Sequence, residues 1–584
     1  MEPYSFDLTE NKAIIRNRGR ICETADELLS SDPFRKFVLR SIQSLQRHQS
    51  LLLGIFGDAP IDEESINLLI QTLRFLARMP ARLIPGILPG SEIFLADREL
   101  FADFAEHLYK HWRSFDRFVI CNSEGDALDQ RPYRTFNDTV ERLTHLVRGT
   151  FRDIDENISG SHPRIYRQVR AGAAMAAIAL PHTIFPDTSP YCVLNQVPII
   201  RQELLYPPLV LNPPMNKRTG RFSRVDCNPL AEVEFNDTEW LCYPAKVGEL
   251  LILIYFQQHF FELGFSLCNL FEIAGDDDLR RRPDAVYAYG IPGDTLDSLG
   301  VFPTVFYDDE DHDLLVAAVP NRDEFGYFGY LKKMVLTLHN IRMMKLGHMP
   351  YHGAMVRITM QGRASTILII GDTGAGKSET LEAFRMLSDE HLQDMTIIAD
   401  DMGSLQIDEE GVVRGYGSEI GAFVRLDDLQ PGYAFGQIDR TIIMSPSQIN
   451  ARAIVPVTNF ANITRGYPVD LVLYANNYDP IDDEHPIVEQ FHRPEDALAV
   501  FEAGAVMSKG TTTSTGLVHS YFANIFGPPQ YRQLHDALAQ RYFRALYACG
   551  AFVGQMRTRL GIPGCETTGP EQAAMALLDL LASR

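Results

Sequence analysis

The stretch Gly371-Asp372-Thr373-Gly374-Ala375-Gly376-Lys377-Ser378 matches GxxxxGK(S/T) at every fixed position. Glycines at these places let backbone N–H groups turn inward onto phosphate oxygens. The lysine brings a charge to the β- and γ-phosphates, and the serine hydroxyl can ligate Mg2+. An apolar run, residues 367–370, precedes the loop, and a helix-forming sequence starting Lys377-Ser378-Glu379 follows it. Strand, loop and helix therefore come in the order the motif requires, with the positive helix N-terminus aimed at the phosphates. Farther on, the apolar stretch MTIIADD ends in Asp400 and Asp401. Carboxylates at a strand end beside a phosphate loop supply the second arm of a site for a hard divalent cation, whose shell the phosphates complete. These residues predict a bound polyphosphate with a metal ion and leave the reaction open.

Two charged stretches stand out. KRTGRFSR (217–224) is cationic, although the chain carries 76 acidic against 54 basic residues, a net charge of -22. In so acidic a protein a basic loop reads as an anion site. DDEDHD (308–313) reads as a solvated acidic loop, since it lacks the Gly and Glu spacing of a calcium loop. The acidic balance argues against non-specific binding to nucleic acid or to an anionic membrane, so neither is expected as a partner. Gln257, Gln258, His259 and Glu262 break up the most apolar run, LLILIYF (250–256), far short of the ~20 residues of a membrane span. The first residues, MEPYSFDLTENKAIIRNRGR, hold no signal-peptide core. The 8 cysteines are scattered without a CxxC pair, which speaks against a zinc ribbon or disulfide framework and for a reduced, cytoplasmic protein.

A chain of 584 residues is long enough for several domains. Residues 1–175 read as a helical accessory region. SINLLIQTLRFLARM (65–79), the segment from Asp97 to Trp112, and DTVERLTHLVRGTF (138–151) all repeat apolar residues at helical spacing. They carry no chemical motif and are expected to offer a surface to a protein partner. Between 176 and 325 prolines cluster, and short β-like runs such as CVLNQVPII and LLILIYF lie between them. From 326 to 584 helical and strand patterns alternate, beginning with LKKMVLTLHNIRMMK (331–345), which reads as an amphipathic helix. The expected fold class is mixed α/β, with a nucleotide-binding lobe around the phosphate loop.

Further residues frame that loop. Thr219-Gly220-Arg221 lies far upstream. Tyr327-Phe-Gly-Tyr-Leu-Lys332-Lys333 and then His352-Gly353 precede the loop, and Asn450-Ala-Arg452-Ala-Ile-Val-Pro456 and Phe526-Gly527-Pro528 follow it. In this order they resemble the TGR, YxGxxKK, metal-histidine, NTRxxYP and FGxPF segments of the phosphoenolpyruvate carboxykinases, over roughly residues 205 to 545. The resemblance implies a two-lobed core, of which 176–325 is the substrate-binding lobe and 326–584 the nucleotide- and metal-binding lobe. It implies decarboxylation of oxaloacetate and phosphorylation of the resulting enolate to phosphoenolpyruvate. Lys333, His352 and Asp401 would then ligate Mn2+, while Ser378 and Asp400 face the Mg2+ of the nucleotide. Arg221 would hold a substrate carboxylate and Tyr327 would line the substrate pocket. Arg452 and Lys332 would neutralise charge on the transferring phosphoryl group. Lysine ligates only when neutral, so Lys333 needs a pKa depressed by burial and by the neighbouring Lys332.

The implied ligands are a small dicarboxylate and a nucleotide, ATP or GTP. Pyrophosphate stays open as a donor because no adenine pocket is legible; Ser508-Lys509-Gly-Thr-Thr-Thr513 is a candidate loop near the donor. The sequence also departs from the family pattern. FSRVD follows the TGR where the family has a lysine-containing SPKDK, and Val455 stands where it has a tyrosine. Gly-Lys-Ser-Glu379-Thr replaces Gly-Lys-Thr-Thr and is similar to the loop of bacterial HPr kinase/phosphorylases, which also place His-Gly before it and Ala-Asp-Asp after it. A second reading is therefore a serine kinase/phosphorylase of a protein or small-molecule hydroxyl, with Asp400 or Asp401 as general base. A third is a non-catalytic nucleotide-sensing module.

Overall fold

The computed structural model describes residues 4–17, 22–122, 132–162, 169–391, 394–426, 438–509 and 515–583, and its fold is mixed α/β. Contacts divide the chain into two compact units. One comprises residues 1–182 with 198–207, the other 183–197 with 208–584.

In the first unit the three periodic stretches form helices: Glu63–Leu76, Arg98–Ser114 and Pro132–Ser159. Caps fix where two of them begin. Asp62 and Ser65 form a reciprocal capping box, and Asp97 accepts the Leu100 N–H at 2.9 Å. The region expected to be helical nevertheless carries a sheet. Lys12–Asn17, Asp116–Asn122 and Met175–Leu180 run parallel, flanked by antiparallel Tyr4–Leu8 and Ile199–Leu205. Strands covered on both faces show short unbroken apolar runs rather than alternation, and such runs are easily read as parts of helices. Ile14, Phe118, Val119 and Ile120 form two such runs and are wholly buried. Ile199–Leu205, which the sequence places in the next lobe, belongs to this unit through its pairing with Met175–Leu180.

The second unit holds two larger sheets. In one, Trp240–Val247, Leu250–Gln257, Ala285–Ile291, Leu314–Pro320, Val305–Asp309 and Ser223–Val225 follow one another. In the other, Met402–Ile407, Met349–Met360, Arg363–Ile370, Leu471–Asn476 and Phe552–Arg557 are consecutive neighbours. Between them lies the helix Phe328–Lys345, which touches strands of both sheets. It was expected to be amphipathic, yet it is buried on nearly every face, as a helix enclosed by two sheets must be. Its polar residues Lys332, His339 and Asn340 are therefore buried as well. The expected boundary at 325/326 falls just before this helix, inside one compact unit.

The acidic stretch 308–313 is exposed as expected at Glu310, Asp311 and Asp313 but departs from expectation at its first two residues. Asp308 and Asp309 end the strand Val305–Asp309 and are buried. Asp308 accepts from Lys345 Nζ and, at 2.6 Å, from the Tyr531 hydroxyl. Asp309 accepts from the Tyr191 hydroxyl and pairs with His312 Nδ1 at 2.9 Å. Donors contributed by other segments thus replace the solvent expected there. Among the described residues no helix is long and apolar enough to cross a membrane.

Candidate active site

The strand Arg363–Ile370 runs parallel to Leu471–Asn476 and delivers the phosphate loop to the N-terminus of the helix Lys377–His391. Gly374 and Gly376 adopt φ of 81° and 98°, a region glycine enters without penalty. At Gly376 a Cβ would also sit 2.7 Å from the Thr558 side chain, so no other residue fits. The loop is held from behind. The Thr558 hydroxyl donates to the Ala375 carbonyl at 2.6 Å, and the Asn477 amide donates to the Gly374 carbonyl at 2.9 Å. Asn477 also pairs with both backbone groups of Met507, which brings the strand Ala505–Lys509 to the loop. The candidate donor loop 508–513 lies, from Gly510 onward, outside the described residues. Lys377 is buried and folds back so that Nζ donates to the Gly371 carbonyl and, at 3.2 Å, to that of Asp372.

A second set of groups converges from distant segments. The long strand Met349–Met360 changes partner along one edge: 349–352 pair with Met402–Ile407, and 355–359 pair with Asp394–Ala399. His352 sits at the change of partner, and Asp400 and Asp401 occupy the gap between the two partner strands. The Gly353 N–H donates to the Asp401 carbonyl at 2.9 Å, which locks that juxtaposition. His352 Nδ1 donates to the Ala523 carbonyl, an acceptor only, so this nitrogen carries the proton. Nε2 then faces Asp401 Oδ1 at 3.0 Å. The Ala523 carbonyl is aimed by an unusual turn: Phe522, Ala523 and Asn524, none of them glycine, have φ of 44°, 58° and 61°. Each such residue costs roughly 1–2 kcal/mol.

The helix Phe328–Lys345 supplies the lysines. Lys332 Nζ lies 2.9 Å from Asp401 Oδ2 and 3.1 Å from Glu419 Oε1. Burial alone would lower this ammonium's pKa; Asp401 and Glu419 outweigh it and hold Lys332 charged. Burial likewise works against the Asp401 carboxylate, but Lys332 and His352 prevail and keep its pKa well below the usual range. Glu419 is pushed up to about 8 by burial, against the pull of Lys332. Lys333 opens towards the cleft, its Nζ 5.1 Å from the centre of the Phe526 ring. Burial, and then the positive charges of Arg218, Lys332 and Arg452, lower its pKa to about 8 against the pull of Asp401. The shift runs in the direction that the metal role demands, with burial as its leading cause and Arg218 ahead of Lys332 among the charges.

These groups face one cleft. It is lined by Asp372, Thr373, Gly374, Lys377, Ser378 and Glu379 from the loop region, by Lys332, Lys333, His352, Asp400 and Asp401, and by Tyr327 and Arg452. Gly371, Ala375 and Gly376 shape the loop behind this wall. Arg452 stands 5.5 Å over the Phe423 ring and directly opposite Arg425 across an antiparallel strand pair. Two guanidiniums facing each other repel unless an anion lies between or beside them. Arg221 departs from expectation: it is exposed and does not line the cleft, and its carbonyl accepts from the Thr304 hydroxyl at 3.0 Å. The same loop instead brings Arg218, packed 4.8 Å over Phe222, near enough for its charge to act on Lys333.

Sequence reasoning missed Arg218, Glu419, Phe423, Arg425 and Asn524. The alternation of KRTGRFSR could have pointed to Arg218; no local pattern marks the others.

The donors suit a divalent cation. With Nδ1 committed to the Ala523 carbonyl, His352 Nε2 faces the Asp401 carboxylate at 3.0 Å, a contact that needs a proton or a cation between the two. One imidazole, one carboxylate and one lysine of depressed pKa make a mixed nitrogen–oxygen set of the kind a first-row metal accepts. Among the described residues no three His, Cys, Asp or Glu side chains cluster as a metal site, so the set depends on Lys333 as its third member. No protein-family model matches the chain, and no curated protein matches it.

Proposed function

We propose that the second unit is a phosphoenolpyruvate carboxykinase-like phosphotransferase with the two-lobed core of that superfamily. It would decarboxylate oxaloacetate and phosphorylate the enolate with a nucleotide or pyrophosphate. One observation carries the reading: Lys332, Lys333, His352, Asp401 and Arg452 line the same cleft as the phosphate loop. A nucleotide-binding module has no need of a depressed lysine beside a histidine and a carboxylate.

Lys333, His352 and Asp401 would hold Mn2+, and Ser378 with Asp400 would hold Mg2+ against the donor's phosphates. The metals would supply charge stabilisation for the enolate and the phosphoryl oxygens. The protein's own groups do the rest. Lys377 exchanges the Gly371 carbonyl for a phosphate oxygen. Lys332, held charged, and Arg452 face the transferring group and balance its equatorial oxygens. Tyr327 and Phe423, with ring centres 5.9 Å apart, wall the cleft and keep water from the enolate.

The Lys-Ser-Glu-Thr loop favours a serine kinase as the second reading. A kinase needs a general base, and Asp401 is a poor one, because Lys332 and His352 hold its pKa far below the operating pH. Asp400 would have to serve. The deciding assay is oxaloacetate-dependent phosphoenolpyruvate formation with Mn2+ and Mg2+, offering ATP, GTP and pyrophosphate in parallel, with Lys377→Ala as control. Product that disappears in the variant supports the carboxykinase reading and names the donor. Silence with every donor, in protein that still binds nucleotide and Mn2+, transfers the proposal to a kinase of another acceptor.

A further inference from the structure

Three successive non-glycine residues in the left-handed region do not hold that shape unaided. The turn at Phe522, Ala523 and Asn524 is tied at both ends and in its middle. Upstream, the Ser520 N–H donates to the Gly504 carbonyl at 3.1 Å. The Tyr521 hydroxyl donates to Asp536 Oδ1 at 2.6 Å and meets His535 Nδ1 at 2.7 Å. Arg532 lies 3.5 Å over the Tyr521 ring and also pairs with Asp536. Arg532, His535 and Asp536 share one face in the first turn of the helix Arg532–Ala548. In the middle, Phe522 is buried and stands edge-on to His535 at 4.8 Å. Downstream, the Asn340 amide donates to the Phe526 carbonyl at 2.8 Å. The same helix reaches the strand of His352, since His535 Nε2 lies 3.5 Å from the carbonyl of Pro350. One helical turn thus sets the Ala523 carbonyl and the His352 ring relative to each other.

We propose that Tyr521 is a positioning residue for the candidate metal site: its hydroxyl, tied to that helix, keeps the turn in the form that sets the Ala523 carbonyl against His352 and so aims the imidazole. This rests on the metal reading given above. Strand pairing with Met402 fixes the main chain of His352 but not the two torsions of its side chain. Asp401 faces Nε2, where a cation would enter, so the carbonyl on Nδ1 is the hold that survives binding. A ring ordered beforehand spares the incoming ion the cost of ordering it. Without the Tyr521 hydroxyl the turn relaxes towards negative φ, the carbonyl withdraws, and the ring turns freely.

The test is Mn2+ alone, titrated into the full-length protein, with free Mn2+ followed by its paramagnetic resonance signal. Tyr521→Phe keeps the ring and its contact with Arg532, removes the hydroxyl, and is expected to weaken Mn2+ binding about fivefold. Nucleotide binding without metal is expected to stay at the parent level. In a His352→Ala background there is no ring to aim, so Tyr521→Phe is expected to add nothing; a general loosening of the fold would weaken binding there too. Asp536→Asn loosens the same tie from the helix side, is expected to act in the same direction, and decides the matter if the phenylalanine variant fails to fold. Unchanged Mn2+ affinity in Tyr521→Phe, an undiminished loss in the His352→Ala background, or weakened nucleotide binding overturns the proposal and leaves the metal site standing. A parent protein that takes up no Mn2+ overturns both.

Discussion

The phosphate loop is drawn from consecutive residues and held by backbone atoms, whereas the His352–Asp401–Lys332 arm comes from distant segments and is held by charge. Thr558 and Asn477 grip loop carbonyls, and the loop's glycines contribute shape alone. In the arm, three ionisable groups meet within 3.0 Å contacts in a buried setting. A loop made of backbone tolerates change at its variable positions but not at Gly376. An arm made of charge responds to any change in charge, including changes in residues that never touch a ligand.

The largest effect should come from breaking the loop at its lysine. Lys377→Ala is expected to lower turnover by on the order of 10³-fold, about 4 kcal/mol of lost electrostatic stabilisation. Wild-type turnover in this variant would remove the phosphate-loop role.

The second test probes the helix that carries the arm. Burial holds His339 at about 4, against an ordinary 6.5. The folded protein therefore keeps this ring neutral while the unfolded chain takes up a proton between those values. The stability is fully present above pH 6.5 and is lost as pH falls towards 4, by up to about 3 kcal/mol. Urea unfolding from pH 7 to 4.5 should show this slope, and His339→Gln should flatten it. An identical slope in the variant would mean that the helix interior is wetter than its packing indicates.

Smaller still, His352→Ala is expected to weaken Mn2+ binding roughly 10- to 100-fold while nucleotide binding without metal is spared. Loss of both together would show that loop and arm are one cooperative structure rather than two. The smallest effect separates two arginines of the basic loop. Arg218→Ala should raise the KM for a dicarboxylate by about five- to tenfold, or about 1 kcal/mol, and Arg221→Ala should leave it nearly unchanged. The reverse ranking would restore Arg221 as the carboxylate ligand.

What could be read from the sequence follows the same division. The phosphate loop was legible because its chemistry is local. The need for a depressed Lys333 was legible because the chemistry of a neutral lysine dictates it, and the structure supplies the burial and the positive neighbours. Glu419 was not legible, since only the partner change of the strand Met349–Met360 and the enclosure of the helix Phe328–Lys345 bring it to Lys332. Arg425 acquires meaning only from a strand register that sets it opposite Arg452. The strands of the first unit were hidden because buried parallel strands lack the alternation that announces a sheet. The helix Phe328–Lys345 read as amphipathic because lysines, a histidine and an asparagine punctuate it, whereas Lys332, His339 and Asn340 are buried and hydrogen-bonded and Lys333 lines the cleft.

The turn at Phe522, Ala523 and Asn524 has a consequence for any survey of this protein by substitution. The group that fixes the proton on His352 is a main-chain carbonyl, and every amino acid has one. Replacing Ala523 by glycine leaves that bond in place and eases φ of 58°, whereas a larger side chain must also find room where Ala523 is fully buried. A side-chain scan would therefore score the position by backbone compatibility and space, with glycine accepted and valine or isoleucine refused. Its role would surface on chemical replacement of the amide that follows by an ester, which weakens the carbonyl as an acceptor at the cost of the long Asn524 N–H bond to the Ser520 carbonyl, 3.4 Å.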